Sequence, residues 1–180
     1  YSVRVIWQML DTISKGVVYC GKTEALGDSI VSNDGWLVEE EGFVHVKELT
    51  GLDPSTTYYY QVGNGIRRFE EIRQTKTAPA RGSNFRLAIA SDFHDNSGQV
   101  WEKMVPQVVQ QAPDLFIHLG DIVNRGDTRP WNSSFFTPSE PLLNRIPMIG
   151  AVGNHETGDK PSNGPTTYYD YFSSFSHGYI

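Results

Sequence analysis

Three short segments hold the residues best suited to chemistry: Asp92-Phe93-His94, Gly120-Asp121 and Gly153-Asn154-His155-Glu156. Each follows an apolar run, respectively Phe85–Ala90, Leu115–Leu119 and Pro147–Val152. Such continuous runs predict strands buried on both faces of an α/β sheet. Ligands of an open α/β sheet bind beyond the carboxyl ends of its strands. The segments therefore deliver Asp92, His94, Asp121, Asn154 and His155 to one edge. Two carboxylates, imidazole and a neutral amide oxygen suit borderline and hard divalent metals. No thiolate takes part, which favours Zn, Mn, Fe or Co over a structural zinc site. One aspartate carboxylate can bridge two ions ~3.5–4 Å apart, and such a pair stabilises both the attacking and the leaving oxygen of an in-line displacement. Taken singly, each segment has an ordinary explanation, since Gly-Asp after a strand is a common turn and Asp-x-His a common solvated loop. Three in order, each just past an apolar run, are much harder to reach by accident.

The elements that must carry these residues can be read around them. Asn96 or Ser97 can cap a helix running to about Gln111, with Val100, Met104 and Val108 at helical spacing on one face. Pro106 predicts a kink or restart of that helix, because proline costs ~3 kcal/mol in a regular interior. A short helix is expected over Pro138–Asn144. Strand, helix, strand, helix, strand implies a parallel or mixed α/β sheet over residues 85–180. Residues 1–76 read differently. Val3, Val5 and Trp7 alternate with polar neighbours, as do Tyr58, Tyr60 and Val62, and Val17–Cys20, Phe43–Val46 and Ile66–Thr75 are further strand-like runs. Turn residues punctuate them at the spacing of an all-β sandwich. Residues 77–84, with Pro, Gly and Ser and no periodicity, read as a linker.

Composition excludes some classes. The formal charge of −6 argues against a nucleic-acid polymer as partner, because phosphate-backbone binding needs a basic stripe. It allows a small phosphorylated substrate, since bound cations reverse the local field. The one cysteine, Cys20, excludes an internal disulfide or a cysteine-built metal site, and reads as a small buried side chain. No run reaches the ~18 apolar residues of a membrane span. The chain shows no signal peptide, but Tyr1 already opens a strand pattern, so a leader could lie upstream. Asn132-Ser133-Ser134 matches a glycosylation acceptor, a triplet common by chance.

Asp92-x-His94, Gly120-Asp121-Ile122-Val123-Asn124-Arg125-Gly126 and Gly153-Asn154-His155-Glu156, in that order, resemble the calcineurin-like metallophosphoesterase superfamily. Trp7 and the run Leu49-x-x-Leu52-x-Pro54-x-Thr56-x-Tyr58-x-Tyr60 resemble a fibronectin type III-like domain. A tyrosine placed like Tyr58 commonly ties a sheet corner. That domain in front of the phosphoesterase motifs is the arrangement of the purple acid phosphatase branch. The resemblance implies an N-terminal β-sandwich followed by the first half of an α/β phosphoesterase domain. It implies that Asp92 and His94 bind a first metal, that Asp121 bridges two, and that Asn154 binds the second. His155 would stand outside the metal shell, protonating the leaving oxygen or clamping the phosphate, with a metal-bound hydroxide as nucleophile. It also implies a secreted or periplasmic protein.

This chain departs from the pattern in places. Purple enzymes carry Tyr, the iron ligand that gives the colour, where this chain has Asn124, and usually Gly where it has His94. Here His94 would supply a ligand on the same side, as in non-purple members. Phosphoprotein phosphatases carry Asp at position 124, pairing with the catalytic histidine, a charge that Asn124 cannot supply. Arg125 fits a phosphate-binding role or a loop salt bridge with Asp127. The superfamily's later histidines, including a Gly-His-x-His segment, are not found before Ile180, and His177 precedes its glycine. The chain therefore reads as a fragment of a longer enzyme, inactive by itself and prone to self-association.

Of the other residues, His118 and His45 read as core. Glu156 either orients a neighbour or faces water. Trp131 and Asn132 occupy a loop where substrate contacts could arise, and Tyr168, Tyr169, Tyr171, Phe172 and Phe175 read as core or cleft wall. The function so expected is metal-dependent hydrolysis of phosphate esters, on monoesters first and diesters as the alternative. A non-catalytic binding module that kept the fold is a further alternative, which the intact five-residue set disfavours.

Overall fold

A computed structural model describes residues 1–10, 15–32, 34–38, 42–94, 99–126, 131–157 and 166–172. The chain divides into two compact units, Tyr1–Asn84 and Phe85–Ile180.

The first unit is a β-sandwich. Strands β1 (Val3–Met9), β5 (Gly42–Leu49) and β4 (Gly35–Val38) form one sheet in the order β1-β5-β4. The second sheet runs β3-β2-β6-β7, from β2 (Gly16–Gly21), β3 (Asp28–Ser32), β6 (Thr57–Gly63) and β7 (Arg68–Lys76). All pairs are antiparallel. The period of two works as expected in β1, where Val5, Trp7 and Met9 are buried. They pack with Leu49 of their own sheet against Val18, Cys20, Tyr60 and Val62 of the other. His45 is fully buried and stacks on Trp7, its ring centroid 5.0 Å away, a core role as expected. Burial also raises the Cys20 thiol pKa, consistent with an inert core side chain. Strands β3 and β4 were not foreseen, because their short runs carry too few apolar residues to show a period. The hydroxyl of Tyr58 accepts the amide of Asp53 at 3.1 Å, the expected tie at a sheet corner. Thr77 and Ala78 stay bonded to this unit, where Thr77 N–H donates to Thr56 and Ser55 N–H to the Ala78 carbonyl, each at 3.0 Å.

In the second unit β8 (Leu87–Ala90), β9 (Leu115–His118) and β10 (Met148–Gly150) form a sheet in the order β10-β9-β8, with both pairs parallel. Helix α1 spans Gln99–Gln110 and runs through Pro106 as one element. Asn96 and Ser97, its expected caps, lie outside the described residues. Its buried residues are Trp101 and Val105, not Val100 and Met104, which are exposed. The aromatic explains the rotation. Trp101 stacks on Phe93 at 3.9 Å and on Phe116 at 5.6 Å, and its indole N–H donates to Ser139 Oγ at 2.5 Å. Burying that ring against aromatic partners outweighs what Val100 and Met104 would gain on the neighbouring face. Ser139 belongs to α2 (Thr137–Leu143), which continues from a π-helical segment, Trp131–Phe136.

Three other expectations change. Trp131 is fully buried among Phe135, Tyr168, Tyr171 and Phe172, the last three on α3 (Thr166–Phe172), so it is core and not a substrate contact. The glycosylation triplet is helical, with Ser134 buried. Strand β8 is also not buried on both faces, since Leu87 and Ile89 are 44% and 58% exposed while Ala88 and Ala90 are half-buried. The alternation shows a sheet covered on one face within the described residues.

Candidate active site

Hydrogen bonds beyond the strands draw the three strand ends together. Leu119 N–H donates to the Ala90 carbonyl at 2.9 Å, and Ala151 N–H to the His118 carbonyl at 2.8 Å. Asp92 N–H and Ser91 Oγ both donate to the Gly120 carbonyl, at 3.3 Å each. Asp92 and Asp121 sit just past these contacts with φ of 61° and 54°. Left-handed backbone is uncommon outside glycine and is concentrated at functional sites, although aspartate tolerates it better than most residues.

The side chains then converge. The donor atoms of His94, Asp121 and His155 all lie within 4.8 Å of one another, an arrangement able to hold an ion. The two imidazoles stack at 3.9 Å with 15° between their planes. Asp92 Oδ1 lies 4.0 Å from His94 Nε2, placing that carboxylate at the border of the group. Asn154 precedes His155 on the same turn and is exposed. Neither Asp92 nor Asp121 has an ion pair with Lys or Arg among the described residues. Two carboxylates and two imidazoles gathered without a basic partner make a donor set that fits one or more divalent cations. His155 is thus as close to the group as His94 is, although the sequence reading set it apart.

His155 is held at both ends. Its backbone N–H donates to Asp121 Oδ1 at 2.9 Å. Its Nδ1 faces the Asn124 carbonyl at 3.0 Å. A carbonyl only accepts, so this contact assigns the proton to Nδ1 and leaves Nε2 toward the site. Asn124 thus meets His155 through its main chain, where the sequence directed attention to its side chain. Arg125 is exposed, and Asp127, its alternative partner, lies outside the described residues.

Two buried residues brace these turns. Glu156 is 1% exposed and accepts four backbone N–H groups: Asp121 and Gly153 on Oε2 at 2.8 and 2.7 Å, Ile122 and Val123 on Oε1 at 2.6 and 3.2 Å. His118 is fully buried, and its Nδ1 accepts Gly120 N–H at 3.0 Å. Burial lowers the His118 pKa from 6.5 to about 4, against the pull of Asp92 and Asp121, so the ring is neutral at physiological pH. The bracing role of Glu156 had only one signal in the sequence, its place directly after Gly-Asn-His.

The model of the calcineurin-like phosphoesterase family matches residues 85–180, more than half of the chain. The chain belongs to the calcineurin-like phosphoesterase family. The model of the purple acid phosphatase N-terminal domain matches residues 1–77. The chain is 27% identical to purple acid phosphatase 15 of Arabidopsis thaliana over 187 residues, which cover 85% of this chain and 34% of that protein. It is 26% identical to an Arabidopsis thaliana protein named "Probable inactive purple acid phosphatase 1", over 68% of this chain and 22% of the relative. The fold matches a purple acid phosphatase isolated from yellow lupin (Lupinus luteus) seeds with a TM-score of 0.74 and 18% identity, over 99% of this chain and 38% of the other. The chain thus spans about a third or less of these two curated relatives.

Proposed function

We propose that this phosphoesterase is a metal-dependent phosphomonoesterase working through two cations held by Asp92, His94, Asp121 and Asn154. The observation that carries the proposal is the convergence of His94, Asp121 and His155 at the ends of parallel strands. When bound, such a pair of ions supplies a nucleophile from water at neutral pH and stabilises charge on the attacking and leaving oxygens.

The chain's own groups divide the remaining work. Asp121, at the tip of the middle strand end, would hold both cations. Its Oδ1 is steadied by the His155 amide. His155 keeps Nδ1–H on the Asn124 carbonyl, so the proton it exchanges with the leaving oxygen is carried at Nε2. Arg125 and Asn124 border the phosphate, and exposed Arg125 is free to reach an anion from solvent. The cations are Fe, Mn or Zn by donor type. A location outside the cytoplasm rests on the likeness to purple acid phosphatases. The 180 residues taken alone are proposed to be inactive and to self-associate.

The opposing reading is a phosphoesterase fold without activity, favoured by the relative whose name calls it probably inactive. Presence of all five site residues weighs against it. A panel of phosphate monoesters and diesters, assayed on the intact protein with Mn, Zn or Fe added, separates the readings. Monoester turnover that follows metal content supports the proposal, and no turnover with any ion sinks it.

A further inference from the structure

Glu156 is not a member of the convergent donor group, yet it accepts backbone amides from both central turns. Asp121, Ile122 and Val123 follow β9, whereas Gly153 follows β10. One carboxylate therefore spans two strand ends that are more than 30 residues apart in sequence, the Ile122 bond having a separation of 34. A buried carboxylate that accepts several N–H groups makes charge-assisted bonds and is costly to replace. The turns are also pressed together. A Cβ at Gly153 would collide with Asp121 N and Oδ1, and one at Gly126 with the Glu156 carbonyl oxygen. Asp121 is thus fixed at its amide by Glu156 and at Oδ1 by His155 N–H. With φ at 54°, its backbone needs such support to stay in place.

We infer that Glu156 is a positioning residue for the metal centre, which holds the Asp121 and Asn154 turns at the separation the cations require before any ion arrives. The inference rests on the metal-centre reading above and goes beyond it, because Glu156 donates nothing to an ion. It predicts that losing this carboxylate weakens ion binding in protein that is still folded. Groups that orient metal ligands from outside the coordination shell typically change metal affinity by roughly 10- to 100-fold.

The test uses the intact protein and the variants Glu156→Gln and Glu156→Asp. In Glu156→Gln, an amide NH2 faces two N–H donors that Glu156 accepted. In Glu156→Asp the charge stays but the side chain is one methylene short of reaching both turns. Mn2+ affinity is measured by competition with a chelator, and folding by thermal unfolding in excess EDTA. We expect both folded variants to bind Mn2+ roughly 10- to 100-fold more weakly. A variant that unfolds at lower temperature but binds Mn2+ within about threefold of the parent overturns the inference, because the carboxylate is then structural only. Amide hydrogen exchange of the metal-free parent gives a reading that needs no variant. Slow exchange at Asp121, Ile122, Val123 and Gly153 supports a turn pair set in advance, and exchange as fast as that of exposed loops overturns it. A parent that takes up no ion contradicts the metal centre itself, whereas a parent that binds Mn2+ beside variants that bind it equally contradicts only the role of Glu156.

Discussion

Asp121 and Asn154 make the sharpest comparison at the scale of single residues. Asp121 stands inside the convergent donor group, while Asn154 is exposed on the turn that carries His155. Asp121→Asn should therefore lose both ions, while Asn154→Ala should weaken only one. Metal analysis of the two purified variants decides this, and equal retention of two ions in both would remove the bridging role. Asn124 permits a second test. With no tyrosinate at that position, the iron-loaded protein should lack a strong visible charge-transfer band, and a purple sample would contradict the alignment of residues 121–124. His118 links the site to pH. Its folded pKa of about 4 lies below the 6.5 of an exposed ring. Between these values the unfolded chain binds a proton that the folded chain refuses, so stability rises with pH there. The contribution is complete above about pH 6.5 and is lost as pH falls toward 4, a loss of roughly 3 kcal/mol. Denaturant unfolding should show His118→Gln to be less stable at neutral pH but flatter across this window. An unchanged acid slope would show that other groups set it.

At the scale of elements, what the sequence disclosed depended on which periods it carried. Apolar runs ending in Asp, His or Asn marked β8, β9 and β10, and the alternation of Val5 and Trp7 marked β1. The buried face of α1 was misread because spacing alone weighs Val100 and Met104 as heavily as Trp101, while packing against Phe93 and Phe116 does not. The bracing by Glu156 was legible only as one of two options, for another reason. Its partners are backbone amides, which every sequence has, brought near by parallel pairing of distant strands. The Asn124–His155 contact was hidden in the same way, since it uses a carbonyl. The close approach of these turns gives an element-level prediction. Gly126→Ala places a methyl against the Glu156 carbonyl, and fixed backbone gives little room to yield. Overpacking of this kind costs roughly 1–3 kcal/mol. Denaturant unfolding of the variant should show such a loss in the phosphoesterase unit. No change would mean that the turns are looser than their contacts indicate.

At the scale of the whole molecule, the sheet of the second unit leaves an apolar face exposed among the described residues. Ile89, Ile117 and Ile149 lie in register across β8, β9 and β10, and Ile89 and Ile149 are 58% and 43% exposed. Among the described residues, strands β8 and β10 are both edges of this sheet. Exposed apolar faces and open edges invite association. The 180 residues by themselves should sediment with a concentration-dependent mass, and Ile89→Lys should reduce it. A monomer over a wide concentration range would contradict the proposed self-association. The central claim concerns chemistry, and one measurement meets it directly. The intact protein is stripped with a chelator, reloaded stepwise with Mn or Zn, and assayed on an aryl phosphate monoester while bound metal is counted. The account predicts that turnover disappears on stripping and returns as up to two ions bind, and that Asp121→Asn recovers neither ions nor turnover. Turnover that survives complete removal of metal, or that Asp121→Asn retains, would contradict it.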